Sequence, residues 1–65
     1  MSSNFYPEIR RLLEGAGCVF VRHGKGSHDI WRSPITNRTF TLPRNCKRRH
    51  TANAVLKDAG VDAKV

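Results

Sequence analysis

The sequence predicts an α+β domain: a three-stranded antiparallel sheet covered on one face by two helices, in the order α-β-β-β-α. Two observations carry this. Apolar residues recur at helical spacing near both ends of the chain. Between them lie three short segments of strand composition, separated by turn-forming residues. A sheet with one apolar face must be covered, and two helices on that face cover it.

Phe5, Ile9, Leu12, Leu13 and Ala16 fall on one face of a first helix. Ser3 or Asn4 is expected to cap its start. Pro7 is tolerated only in the first turn, and Glu8 suits the positive end of the helix dipole. Gly17 is a left-handed stop. The run Cys18 to Arg22 is β-branched and aromatic, and apolar on both faces. His23 to Ser27, with Gly24 and Gly26, reads as a hairpin turn. His28 to Arg32 is a second strand, and Ser33 to Asn37 a second turn in which Pro34 fits. Arg38 to Leu42 alternates, with Phe40 and Leu42 on one face and Thr39 and Thr41 on the other. After a basic connection from Arg44 to His50, Ala52, Val55, Leu56 and Ala59 define a second amphipathic helix, with Thr51 as its expected cap and Gly60 at its end. This architecture resembles a double-stranded-RNA-binding domain, an analogy of fold that does not by itself give function.

Length and charge bound the rest. Residues 1–65 are expected to form one domain. Twelve Lys and Arg oppose five Asp and Glu, for a net charge of +7. A small domain so charged attracts polyanions, nucleic acid first among them. No stretch approaches the ~20 apolar residues of a membrane span, and no basic amphipathic helix with a broad apolar face argues for a membrane surface. Met1 to Arg11 holds no apolar signal core, so a cytoplasmic location is expected, with Cys18 and Cys46 as free thiols. The two cysteines lack paired C-x-x-C spacing, and no metal or other cofactor is expected.

Two segments carry a more specific signal. Lys25-Gly26-Ser27-His28-Asp29-Ile30-Trp31 resembles the K-G-S-H-x-x-aromatic segment of the HicA toxin family (YcfA-like proteins). Arg49 to Val61 resembles the closing helix of a common subset of that family. The spacing between segments and the opening helix also agree, so the resemblance runs from Ser3 to Val61. It implies the toxin of a type II toxin–antitoxin pair: a metal-independent ribonuclease that cuts messenger RNA and is neutralised by a HicB-type antitoxin. The family's catalytic histidine maps onto His28. The turn His23 to Gly26 is one residue longer than in many members, which bears on the reach of Lys25.

The chemistry of RNA cleavage agrees with that mapping. RNA carries its own nucleophile, the 2′-hydroxyl. The enzyme supplies a base for its proton, cations for the charged phosphorane, and an acid for the leaving oxygen. Imidazole serves as base or acid near neutral pH, and Arg22, Lys25 and Arg32 are the nearby cations. His28, Ile30 and Arg32 share one face of their strand, opposite Asp29 and Trp31. If Trp31 packs under the helices, His28 and Arg32 look outward to where a phosphate can sit. If Ile30 is the core residue, His28 turns inward. The large burial of an aromatic ring favours the first arrangement, with Asp29 then at the sheet edge. Trp31 itself reads as core before it reads as a base-stacking platform, Cys18 as a small buried hydrophobe, and His23 as a turn residue. Lys47, Arg48 and Arg49 form either a solvated connection or a patch that tracks phosphates. His50, expected just before the second helix, stands where backbone N–H groups bind phosphate. The alternative function is a non-catalytic RNA-binding module of the same fold, in which His28 is incidental.

Overall fold

Pro7 and Glu8 start a helix because proline needs no N–H partner in a first turn and the carboxylate faces the positive end of the dipole. In the computed structural model, which describes residues 4–65, helix α1 spans Tyr6–Gly15. It buries Ile9 and Leu13 completely. The expected cap is altered. Phe5 occupies the N-cap position with no side-chain hydrogen bond, and Ser3 lies outside the described residues. Asn4 instead accepts the N–H of Tyr6 and of Cys46 on its Oδ1, each at 3.0 Å, tying the helix start to the loop beyond the sheet. Gly17 ends the helix at φ +92°, and the Cys18 N–H turns back to the Leu13 carbonyl at 2.9 Å.

Strands β1 (Val19–His23), β2 (His28–Ser33) and β3 (Arg38–Pro43) form an antiparallel sheet in sequential order. Trp31 lies opposite Phe40 and Asp29 opposite Leu42, all four on the helix-covered face. Ile30 opposite Thr41, and Arg32 opposite Thr39, lie on the other. Strand β1 is an edge strand, and its apolar residues stay largely in solvent: Val19 is 56%, Phe20 45% and Val21 46% exposed. A register irregularity between Phe20 and Arg22 bends this edge, a common way of discouraging further strand pairing.

Helix α2 spans Arg49–Asp58 and closes the core with Ala52, Val55 and Leu56. It starts earlier than expected. Arg48 is extended (φ −111°, ψ 130°), and its carbonyl accepts the Ala52 N–H at 3.0 Å, closing the first turn before Thr51. Thr51 is therefore an exposed residue within the helix and not its cap, and His50 belongs to the first turn. At the far end the buried Ser33 hydroxyl donates to the Ala59 carbonyl and accepts the Ile35 N–H at 3.1 Å, clipping the β2–β3 turn to α2. Gly60 (φ +74°) permits the approach, since a Cβ there would lie 2.9 Å from methyl groups of Ile35 and Thr36.

Candidate nucleic-acid interface

The alternation of β2 decides what the open face presents. Asp29, Trp31 and Ser33 are buried, so His28, Ile30 and Arg32 point away from the helices. His28 and Arg32 are exposed. Arg22 lies opposite Ile30 in the neighbouring strand and so shares this face, which is flanked on the β3 side by Thr39 and Thr41. Arg32 is held by a hydrogen bond from its Nη2 to Oδ1 of Asn37, itself in the left-handed conformation at φ 59°.

His28 stands at the mouth of the β1–β2 turn, where its backbone is tied on both sides. The Gly24 N–H donates to the His28 carbonyl at 2.7 Å, and the His28 N–H to the Lys25 carbonyl at 3.2 Å. Arg44 braces the same turn, giving its backbone N–H to the Ser27 carbonyl (2.8 Å) and its Nη2 to the Gly26 carbonyl (2.9 Å). The ring of His28 therefore hangs from a fixed backbone while remaining open to solvent. Lys25 is exposed in the turn itself.

The basic residues divide into two groups. Arg22 and Arg32 share the face of His28. Lys47, Arg48, Arg49 and His50 gather at the start of α2, in the layer that covers the opposite face. The Arg49 guanidinium lies 6.0 Å from the centre of the Phe5 ring. Cys18 and Cys46 are both buried and free, and burial pushes the Cys46 thiol above its ordinary pKa, the direction of an unreactive thiol. Among the described residues no group of three or more His, Cys, Asp or Glu side chains gathers. Nor is any helix among them long and apolar enough to cross a membrane.

Two residues depart from the sequence reading. Asp29 is not at the sheet edge. It lies in the central strand with its side chain 3% exposed, and it has three partners. His23 Nδ1 lies 2.9 Å from Oδ1, the Arg44 Nε lies 3.4 Å from the same oxygen, and the Tyr6 hydroxyl donates to Oδ2 at 3.3 Å. His23 is accordingly the last residue of β1 and a carboxylate partner, not a turn residue. The signal was available: an inward Trp31 puts Asp29 inward too, and a buried carboxylate requires partners. Asp29→Asn should destabilise the fold by about 1–3 kcal/mol, the cost of spoiling hydrogen bonds to a buried charged group. The cost stays moderate because His23 and Arg44 reach solvent and rehydrate. Chemical denaturation checks this, and an unchanged midpoint would show that the cluster contributes nothing.

A small basic α+β domain of double-stranded-RNA-binding type, with an exposed histidine on the same open sheet face as two arginines, is the class these observations define. The chain belongs to the HicA toxin family: the family model described as the HicA toxin of bacterial toxin-antitoxin matches residues 6–61. It is thus a toxin of a toxin–antitoxin system, of a family whose members are generally messenger-RNA-cleaving toxins. No curated protein and no solved structure matches it.

Proposed function

We propose that this toxin is a cytoplasmic, metal-independent endoribonuclease that cuts messenger RNA on the open face of its sheet, with His28 as the general base. The observation that supports this best is the exposed imidazole of His28 on the same sheet face as Arg22 and Arg32. In the reaction the 2′-hydroxyl loses its proton to His28 and its oxygen attacks the adjacent phosphorus. Arg22, with Lys25 from the turn, stabilises the phosphorane, and Arg32, further along β2 and tied to Asn37, holds a neighbouring phosphate of the strand. The bond to the 5′-oxygen breaks, and that oxygen takes up a proton from water at the open face. The products are a 2′,3′-cyclic phosphate and a 5′-hydroxyl. Incubation of RNA with the protein in EDTA, followed by end-group analysis, tests this. A requirement for metal, or 5′-phosphate ends, would overturn it.

A second reading, a non-catalytic RNA-binding module, draws on one observation: the His28 ring makes no hydrogen bond or ion pair among the described residues, so no carboxylate orients it. On either reading Lys47, Arg48, Arg49 and His50 form a second phosphate-binding patch, at the start of α2 and apart from the open face of His28. RNA affinity should therefore fall steeply with salt. Replacing Lys47, Arg48 and Arg49 together with Gln should reduce the slope of log K against log salt by about 2–3, roughly 0.7–0.9 for each phosphate no longer neutralised. A slope that does not change would place the binding surface elsewhere.

The antitoxin partner is proposed to be of HicB type, with an acidic surface that complements the toxin's net charge of +7 and covers His28. Complex formation should then slow the reaction of His28 with a histidine-modifying reagent. Unchanged reactivity in a tight complex would rule out neutralisation by occlusion.

A further inference from the structure

Behind the edge strand β1, on the side of α1, lies a cleft of about 240 Å³. Tyr6, Arg10, Phe20, His23 and Arg44 surround its mouth, with Asp29 and Trp31 deeper. Four aromatic rings line it beside two guanidinium groups and one carboxylate. Phe20, though 45% exposed, meets His23 edge to face at 5.1 Å and Trp31 at 6.2 Å. The His23 side chain is 70% exposed while Asp29 holds its Nδ1, so the ring is fixed in direction and open to solvent. Trp31 is 2% exposed, and its indole N–H has no hydrogen-bond partner among the described residues.

We propose that this cleft is a nucleobase subsite, which takes one unpaired base of the RNA strand adjacent to the phosphate at His28. The inference rests on the ribonuclease reading and adds a binding determinant to it. Size, ring surface and charge select a base. The volume lies just below that of a drug-sized pocket, suited to one planar heterocycle and too small for a helix or a hairpin. The Phe20 ring, 45% exposed, and the His23 ring, 70% exposed, are open at the cleft, and a base stacks on such rings whatever its identity. The two cations are already matched, Arg10 to Glu14 at 3.3 Å and Arg44 to Asp29 at 3.4 Å, so an acidic peptide would have to displace carboxylates in place. A base makes no such demand.

His23 and His28 are the two shoulders of one turn, Gly24 to Ser27, and they face opposite sides of the sheet. A single strand that rounds the end of this hairpin brings a phosphate to the open face and a neighbouring base to the cleft. The same geometry keeps His23 and His28 from acting on one phosphate, so His23 is a binding residue and not the missing acid.

Trp31 is the lone tryptophan of the chain and borders the cleft, which makes it a local reporter. The probe is a single-stranded RNA hexamer with 2′-O-methyl riboses, which lacks the nucleophile and stays whole. Its binding should quench Trp31 fluorescence and shift the indole N–H resonance. Phe20→Leu should weaken hexamer affinity at least about fivefold, the lower end of the loss of one stacked base. The triple Gln replacement of Lys47, Arg48 and Arg49 should weaken affinity yet leave the quench at saturation unchanged. A hexamer that saturates the wild-type protein with neither quench nor indole shift overturns the proposal without recourse to any variant. Equal affinity for wild type and Phe20→Leu also overturns it while leaving the ribonuclease reading intact. No hexamer binding at low salt removes both. A polyglutamate peptide that quenches Trp31 where the hexamer does not would reassign the cleft to a protein partner.

Discussion

His28→Ala should lower RNA cleavage by at least about 10²-fold, the lower bound of what a positioned acid–base residue contributes. The variant should stay folded. The imidazole is exposed on the open sheet face and takes no part in the buried core, and substitutions of that kind usually change stability by within about ±0.5 kcal/mol. What holds this position is backbone: the Gly24–His28 and His28–Lys25 hydrogen bonds survive the loss of the ring. RNA affinity should also persist, because phosphate contacts supply most of it. Cleavage, thermal midpoint and binding must be measured together. A folded His28→Ala protein that cuts at the wild-type rate would sink the mechanism and leave the binding-module reading. A variant that loses its fold would mean that the ring has a structural role its exposure does not reveal.

Trp31→Ala should leave the chain largely unfolded at 37 °C. Trp31 lies in the central strand, packs opposite Phe40, and meets Phe20 edge to face, with the Arg10 guanidinium 6.0 Å from its ring centre. Truncating a buried Trp costs about 3–5 kcal/mol through lost transfer energy and the cavity left behind. At about 0.05–0.15 kcal/mol per residue, a chain of 65 residues has roughly 3–10 kcal/mol in hand, and the small core of so short a chain puts it toward the lower end. Ile35→Ala, at a side chain 55% exposed, is the control and should shift the midpoint by only a few degrees. Circular dichroism on both variants reads the difference. A cooperative Trp31→Ala transition near the wild-type temperature would place the stabilising core elsewhere. Loss of cleavage by Trp31→Ala would then come with loss of structure, unlike that of His28→Ala.

Much of the fold is legible in the sequence. The periods of Ile9 with Leu13, of Phe40 with Leu42, and of Ala52 with Val55, Leu56 and Ala59 are local signals, and each element they predict is present. The direction of His28 follows from one further step, since burying Trp31 commits every second residue of β2 to the opposite face. The motif around His28 points to the family once the preceding strand, Trp31 and the closing helix at the right distance are read with it, and the match over residues 6–61 agrees. The start of α2 is less legible. Thr51 is the better capping residue by type, yet the turn closes at Arg48. Cap preferences amount to about a kilocalorie per mole, so packing of the helix can override them.

The sequence by itself determined the order of elements, the apolar faces of both helices and of β3, the basic charge and the family. Only the tertiary structure decided that β1 is an open edge with Phe20 in solvent, that the basic residues fall into two groups, and that Asp29 is a buried hub. The physical reason is range. A helical or strand period is written within a few neighbouring residues. The partners of Asp29 come from positions 6, 23 and 44, on three separate parts of the chain, and meet only when the sheet has formed and α1 has docked against it. A buried carboxylate announces that partners must exist, but topology alone chooses which ones.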